Sequence, residues 1–133
     1  MIGFDTNVLV RYLAQDDPVQ SRLANRAFAA LSKDAPGFIS LIVLCELMWV
    51  LEDVYAMKKP KLIDILRTLL ESDELQIESK SLVWQAFGRF SEASLDFSDA
   101  LISVVGASAG CTHTLTFDKA AAKTAGFKLL KPS

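Results

Sequence analysis

The sequence predicts an α/β domain built on a mostly parallel sheet of about five strands. Short apolar runs at residues 2–4, 37–40, 75–77, 114–117 and 127–130 alternate with longer segments of helical periodicity. Those intervening segments can carry the chain back across a sheet, so successive strands can run the same way. A length of 133 residues suits one hydrophobic core, and no repeat, low-complexity tract or linker interrupts it. One domain over residues 1–133 is therefore expected.

Each element has a local reason. The first apolar run stops at Asp5, and a short helix is expected over residues 7–13. Asp16-Asp17-Pro18 opens a second helix to about Leu31, with proline near its start, where a missing N–H costs nothing. Asp34-Ala35-Pro36-Gly37 reads as a turn into strand two. Residues 41–57 then form a helix that is apolar on almost every face, which predicts burial. Lys58-Lys59-Pro60-Lys61 breaks it, as a solvated basic turn. Over residues 61–71, Leu62, Ile65, Leu66, Leu69 and Leu70 recur at helical spacing. A third strand at 75–77 and a helix over 81–93 follow. Asp96-Phe97-Ser98-Asp99 leads into a helix of small and apolar residues that Gly110 stops. Strand four, a short helix over 118–125 closed by Gly126, and strand five complete the chain.

Composition removes several classes of function. A net charge of −2 provides no broad basic face for nucleic acid, so an RNA substrate would need metal ions or local Arg and Lys. The 51% hydrophobic content leaves apolar surface for a partner or a second copy. Cys45 and Cys111 are isolated, in apolar helical surroundings, and read as buried free thiols in a reducing cytosol. The opening residues lack a basic segment before the apolar one, and the longest apolar run, 38–45, is far short of a membrane span. A cytoplasmic location without membrane contact is expected.

The acidic residues carry the chemistry. Connecting helices run antiparallel to parallel strands, so strand ends and the starts of the following helices share one sheet edge. Asp5 ends strand one, and Asp118 ends strand four. Glu46 lies about a turn and a half into the helix after strand two, and Asp99 opens the helix that feeds strand four. All of them are expected on the carboxyl edge, where open α/β sheets bind ligands. Plainer readings stand beside this one: Asp5 and Asp118 can cap helices, and Asp99 can pair with Asp96 in a capping arrangement. Glu46 is too deep in its helix to cap. Flanked by Leu44, Cys45, Leu47, Met48 and Trp49, it is expected to be buried and to need a metal or a cation such as Arg11 or Lys119.

Carboxylates gathered on one edge repel, and Mg²⁺ or Mn²⁺ matches an all-oxygen donor set. The lack of clustered His and Cys argues against zinc. Metal-assisted hydrolysis of a phosphodiester suits such a site. The sole histidine, His113, is expected to pack or turn ahead of strand four. No Ser-His-Asp or Cys-His set and no glycine-rich phosphate loop is present.

Taken together, IGFDTNVLVRYL at residues 2–13, ISLIVLCELMWVL at 39–51, DFSDALI at 96–102 and LTFDKAAAK at 115–123 resemble PIN-domain nucleases. The subgroup they resemble is the VapC-type ribonuclease toxins of bacterial toxin–antitoxin pairs. DTN alone would be a weak signal, but these motifs are collinear over essentially the whole chain. The resemblance implies a three-layer α/β/α sandwich and Mg²⁺- or Mn²⁺-dependent endoribonuclease activity. It carries Asp5 and Asp99 over as metal ligands, with Glu46 and Asp118 completing the catalytic acidic pocket. Thr6, Asn7 and Thr116 become groups that orient ligands or substrate. Arg11, Lys119 and Lys123 become either phosphate contacts or solvated surface charges. An RNA substrate, a homodimer and a cognate antitoxin lying over the active-site groove are implied as well.

Rival readings fit less of the sequence. A receiver-type signalling domain needs paired acids after strand one and an Asp ending strand three, but Asp5 stands alone and no Asp directly ends strand three. A haloacid-dehalogenase-type phosphatase needs a second Asp where Asn7 stands. A non-catalytic binding module that keeps the PIN fold is left open by the sequence.

Overall fold

Capping side chains and prolines set the starts of most α-helices in the computed structural model, which describes residues 1–132. The elements are β1 (Ile2–Gly3), α1 (Thr6–Ala14), α2 (Pro18–Ala29), β2 (Gly37–Ile39), α3 (Leu41–Asp53), α4 (Lys59–Glu71), β3 (Leu75–Ile77), α5 (Lys80–Glu92), α6 (Phe97–Ser108), β4 (Thr114–Thr116) and β5 (Phe127–Leu129). A 3-10 turn at Ala121–Lys123 lies between the last two strands. The class is α/β and every strand pair is parallel, as the alternation of short apolar runs and helical segments requires. The chain divides into two compact units, Met1–Lys80 and the residues from Ser81 onward.

In the first unit the strands form one ladder in the order β1-β2-β3, with Ile2 opposite Gly37 and Gly37 opposite Leu75. Helices α1 and α2 carry the chain from β1 to β2, and α3 and α4 carry it from β2 to β3. Helix α1 packs on α2 and α3, while α4 packs on α3 and β3. The Asp17 carboxylate accepts from the amides of Val19 and Gln20 and so starts α2, with Pro18 in the first turn. Ser40 Oγ accepts from Val43 N at 3.2 Å and starts α3. Leu9, Ile39, Leu44, Leu47, Leu51, Leu66 and Leu70 are fully buried. Gly37 is required by packing, because a Cβ there would run into the Phe4 ring. That ring lies 4.8 Å from Phe28, whose other neighbour, Tyr12, stacks on it at 3.8 Å.

The expected burial of α3 on all sides is not what the structure shows. Leu44, Leu47, Met48 and Leu51 point inward, but Ile42 and Trp49 are 72% and 59% exposed, and Glu46 lies exposed between them. These positions share one helix face, so α3 buries one stripe and presents the opposite one. Apolar composition alone does not decide burial. The helix also ends at Asp53 rather than near 57, and Ala56 takes a left-handed conformation at φ +52° in the turn that follows.

In the second unit β4 and β5 form a parallel pair, Thr114 opposite Phe127 and Thr116 opposite Leu129, and α6 packs against β4. The five parallel strands therefore form a three-stranded and a two-stranded ladder among the described residues, where one five-stranded sheet was expected. The helix expected over 118–125 is reduced to the 3-10 turn. Lys123 N donates to Ala120 O and Thr124 N to Ala121 O, the tighter bonding of such a turn. Thr124 is already extended, and Gly126 at φ +90° turns the chain into β5. The cysteines also differ from expectation: Cys45 is half-buried, and Cys111 is exposed because Gly110, at φ +101°, ends the helical path before it. No helix of the described residues is long and apolar enough to cross a membrane.

Leu51 has no exposed surface and sits on the inward face of α3. Leu51→Ala is expected to cost about 2–5 kcal/mol. Urea unfolding should show this as a lower midpoint with an unchanged slope.

Candidate active site

Two acidic clusters form, one in each unit. In the first, Asp5 follows β1 in extended backbone and caps α1, its Oδ1 accepting from Thr6 N at 2.8 Å. The Thr6 hydroxyl donates to Glu46 Oε1 at 2.9 Å. Thr6 is 7% exposed, so one buried residue holds both carboxylates, Asp5 through its amide and Glu46 through its side chain. Asp5 and Glu46 themselves are exposed. Both follow strands of the same parallel ladder, and the structure brings them to its carboxyl end as a pair. Glu78, just past β3, accepts from Leu41 N at 2.9 Å and so braces the start of α3 at that end.

In the second unit Asp96 is the N-cap of α6, and its Oδ1 accepts from Asp99 N at 2.7 Å. Asp99 is half-buried in the first turn of that helix. Burial raises its carboxyl above the usual aspartate value, and the charges of Asp96 and Asp118 raise it further. Asp118 follows β4, and its amide donates to Thr116 Oγ1 at 3.0 Å. The Asp118 carboxylate accepts from Ala120 N at 2.8 Å and from Ala121 N at 3.3 Å. The capping readings of Asp5 and Asp118 therefore describe real bonds. Asp99 pairs with Asp96 in the expected capping arrangement, with Asp96 as the cap and the Asp99 amide as its donor. Asp99 is the acid whose carboxyl is raised, first by burial and then by the charges of its neighbours.

Of the other sequence candidates, Asn7 is exposed on the first turn of α1, Thr116 is half-buried, and Lys119 and Lys123 are exposed. Arg11 is already engaged. Its Nε donates to Gln20 Oε1 at 2.7 Å, and its Nη1 lies 3.3 Å from both Asp16 Oδ1 and Tyr55 Oη. Tyr55 in turn donates to Asp16 Oδ2 at 2.7 Å, which lowers the Asp16 carboxyl and raises the Tyr55 phenol. Sequence reading missed this set and the brace from Glu78. Arg11 and Asp16 flank a chain reversal, a signal that pairs them, but no local pattern points to Tyr55.

Both clusters offer carboxylate oxygens, the donors that Mg²⁺ and Mn²⁺ prefer. Burial is the larger cause of the rise at Asp99, and the charges of Asp96 and Asp118, which a divalent cation would offset, are the smaller one. The donor chemistry therefore fits such an ion. Among the described residues, no group of three or more His, Cys, Asp or Glu side chains stands ready to hold one.

The PIN domain family matches residues 2–127, a span that includes every acid described above. The chain belongs to the PIN domain family. A PIN chain is thus what the collinear motifs indicated, and its α/β class with parallel strands agrees with them. This PIN chain is also similar to the VapC ribonuclease of Aquifex aeolicus (strain VF5), 26% identical over 129 residues, which cover 96% of this chain and 94% of that protein.

The shift of Asp99 sets a pH dependence for the metal-free protein. Its folded value is raised, so the folded state holds this proton more tightly than the unfolded chain does. That contribution is complete below the ordinary aspartate value of about 3.9 and is lost as pH rises through the raised folded value. In EDTA, Asp99→Asn is expected to melt at a higher temperature than wild type at neutral pH. Thermal scans across pH should show that gain shrinking as pH falls through the Asp99 titration.

Proposed function

We propose that this chain is a Mg²⁺- or Mn²⁺-dependent endoribonuclease, the toxin of a bacterial toxin–antitoxin pair, and that residues 1–133 act as one PIN domain. The observation that carries the reading is the crowding of carboxylates around Asp99, in a family member similar to a protein named a VapC ribonuclease. A single family match running through both units supports their acting as one domain.

In this reading Asp5 and Asp99 would be the metal ligands, with Glu46 and Asp118 as the remaining catalytic acids. When bound there, a divalent cation would supply positive charge near the scissile phosphate and would make a water more acidic. Thr6 fixes the Asp5 and Glu46 carboxylates through its two hydrogen bonds, so neither must be ordered when substrate arrives. Thr116 does the same for the Asp118 backbone. Asn7 offers an amide to substrate from the first turn of α1, and Lys119, exposed beside Asp118, offers a local cation to RNA in a protein of net charge −2. Arg11 is assigned to bracing the α1–α2 turn, because Asp16, Gln20 and Tyr55 already hold it. The partners of this reading are RNA, a cognate antitoxin and a second copy of the chain, in the cytoplasm.

One observation favours the alternative, a PIN-fold binding module without catalysis: Asp5 and Asp118 both spend acceptor capacity on backbone amides. A nuclease assay separates the two. Purified, antitoxin-free protein is expected to cleave total RNA with Mg²⁺ or Mn²⁺, to stop in EDTA, and to lose activity in Asp5→Asn and Asp99→Asn variants that keep their far-UV spectra. Thr6→Val should lower activity by about 10–100-fold. Cleavage that persists in EDTA, or full activity in both Asp variants, contradicts the mechanism. Sedimentation equilibrium should give twice the 14.6 kDa chain mass; a mass of one chain contradicts the homodimer.

A further inference from the structure

Arg89 is a half-buried cation that the reading above leaves without a task. It lies in the last turn of α5, and its Nη1 donates to Ser103 Oγ on α6 and, at 2.9 Å, to the carbonyl oxygen of Ala125. Ser103 is only 3% exposed, and its hydroxyl accepts the guanidinium N–H. It stands one helical turn beyond Asp99 on the same face of α6. Ala125 precedes Gly126, whose φ is +90°. A Cβ at Gly126 would overlap Ser103 Oγ and lie 3.2 Å from Arg89 Nη1, so both space and backbone conformation reserve the position for glycine. The Gly126 carbonyl accepts from Thr114 N at 2.7 Å, which ties the same point to the start of β4.

One guanidinium thus joins α5, α6 and the far end of the β4–β5 connection. Asp118 lies on that connection, which contains no regular structure beyond the 3-10 turn. Its near end is fixed by the Thr116 hydroxyl and its far end by Arg89. Asp99 is one turn from the other acceptor of the clamp. A planar fork that serves acceptors on different elements suits arginine better than the point charge of lysine.

We propose that Arg89 is a positioning residue for the Asp99–Asp118 pair: by tying α6 to the β4–β5 connection it sets the spacing of these carboxylates and hence their affinity for a divalent cation. The inference rests on the acidic reading of the preceding section.

The test is Mn²⁺ binding by calorimetry to the metal-stripped full-length chain, with melting temperature measured alongside. Arg89→Met is expected to weaken Mn²⁺ binding by about 10–100-fold, and Arg89→Lys to recover part of that loss. Ser103→Ala, which removes one acceptor and leaves the guanidinium, should weaken binding by a smaller factor and serves if Arg89→Met does not fold. Val83→Ala, a buried change elsewhere on α5, controls for lost stability and should bind Mn²⁺ like wild type. Wild-type Mn²⁺ affinity in the Arg89 and Ser103 variants overturns the proposal, as does an equal loss in Val83→Ala at matched melting temperature. Asp99→Asn keeps the two levels apart. If it binds Mn²⁺ normally, the acidic reading itself has failed; if it loses binding while Arg89→Met does not, only the clamp has.

Discussion

The pair of hydrogen bonds made by Thr6 is the constraint on which the first acidic cluster depends. The residue sits where β1 gives way to α1, and its amide must find a partner because the first turn of a helix leaves its N–H groups unpaired. Asp5 supplies that partner and is thereby held in one orientation. The hydroxyl, buried with the rest of the side chain, reaches α3 and holds Glu46. A single β-branched residue with restricted χ1 thus fixes carboxylates from separate parts of the chain. Helix initiation and the placing of these carboxylates use the same bonds, so the cap that Asp5 makes is compatible with the role proposed for it.

The second cluster is built on the opposite balance. Asp96 takes over the capping duty of α6, which leaves the Asp99 carboxylate free of that task but placed near both Asp96 and Asp118. Burial first, and these neighbouring charges second, make it a carboxyl that holds its proton more tightly than an ordinary aspartate. Like charges brought together without a counterion are a stability cost, and folded proteins keep such costs mainly where function uses them.

The fold class was legible because strand and helix periods differ so clearly along this chain. Leu62, Leu66, Leu69 and Leu70 read as one buried stripe and are buried. The strand at Leu75–Ile77 falls where expected. The misses have a common origin in tertiary context. Burial of Glu46 was inferred from its apolar neighbours, yet those neighbours divide between opposite faces of α3, and Ile42 and Trp49 share the exposed one with it. The helix expected after Asp118 is only a 3-10 turn: the Asp118 carboxylate caps its start, but Thr124 is already extended and ends it early. The bonds of Arg89 to Ser103 and Ala125 connect residues distant in sequence, where no periodicity can announce them. Position along the chain marks the acids; tertiary packing decides which groups hold them.

The exposed stripe of α3 also has a spectroscopic meaning. Trp49, 59% exposed, belongs to the first compact unit, and Trp84, 38% exposed, belongs to the second; these are the two tryptophans of the chain. Each half of the protein therefore carries its own intrinsic fluorophore. Replacing either indole with phenylalanine leaves a single emitter, whose colour and quenching follow one unit without an attached dye.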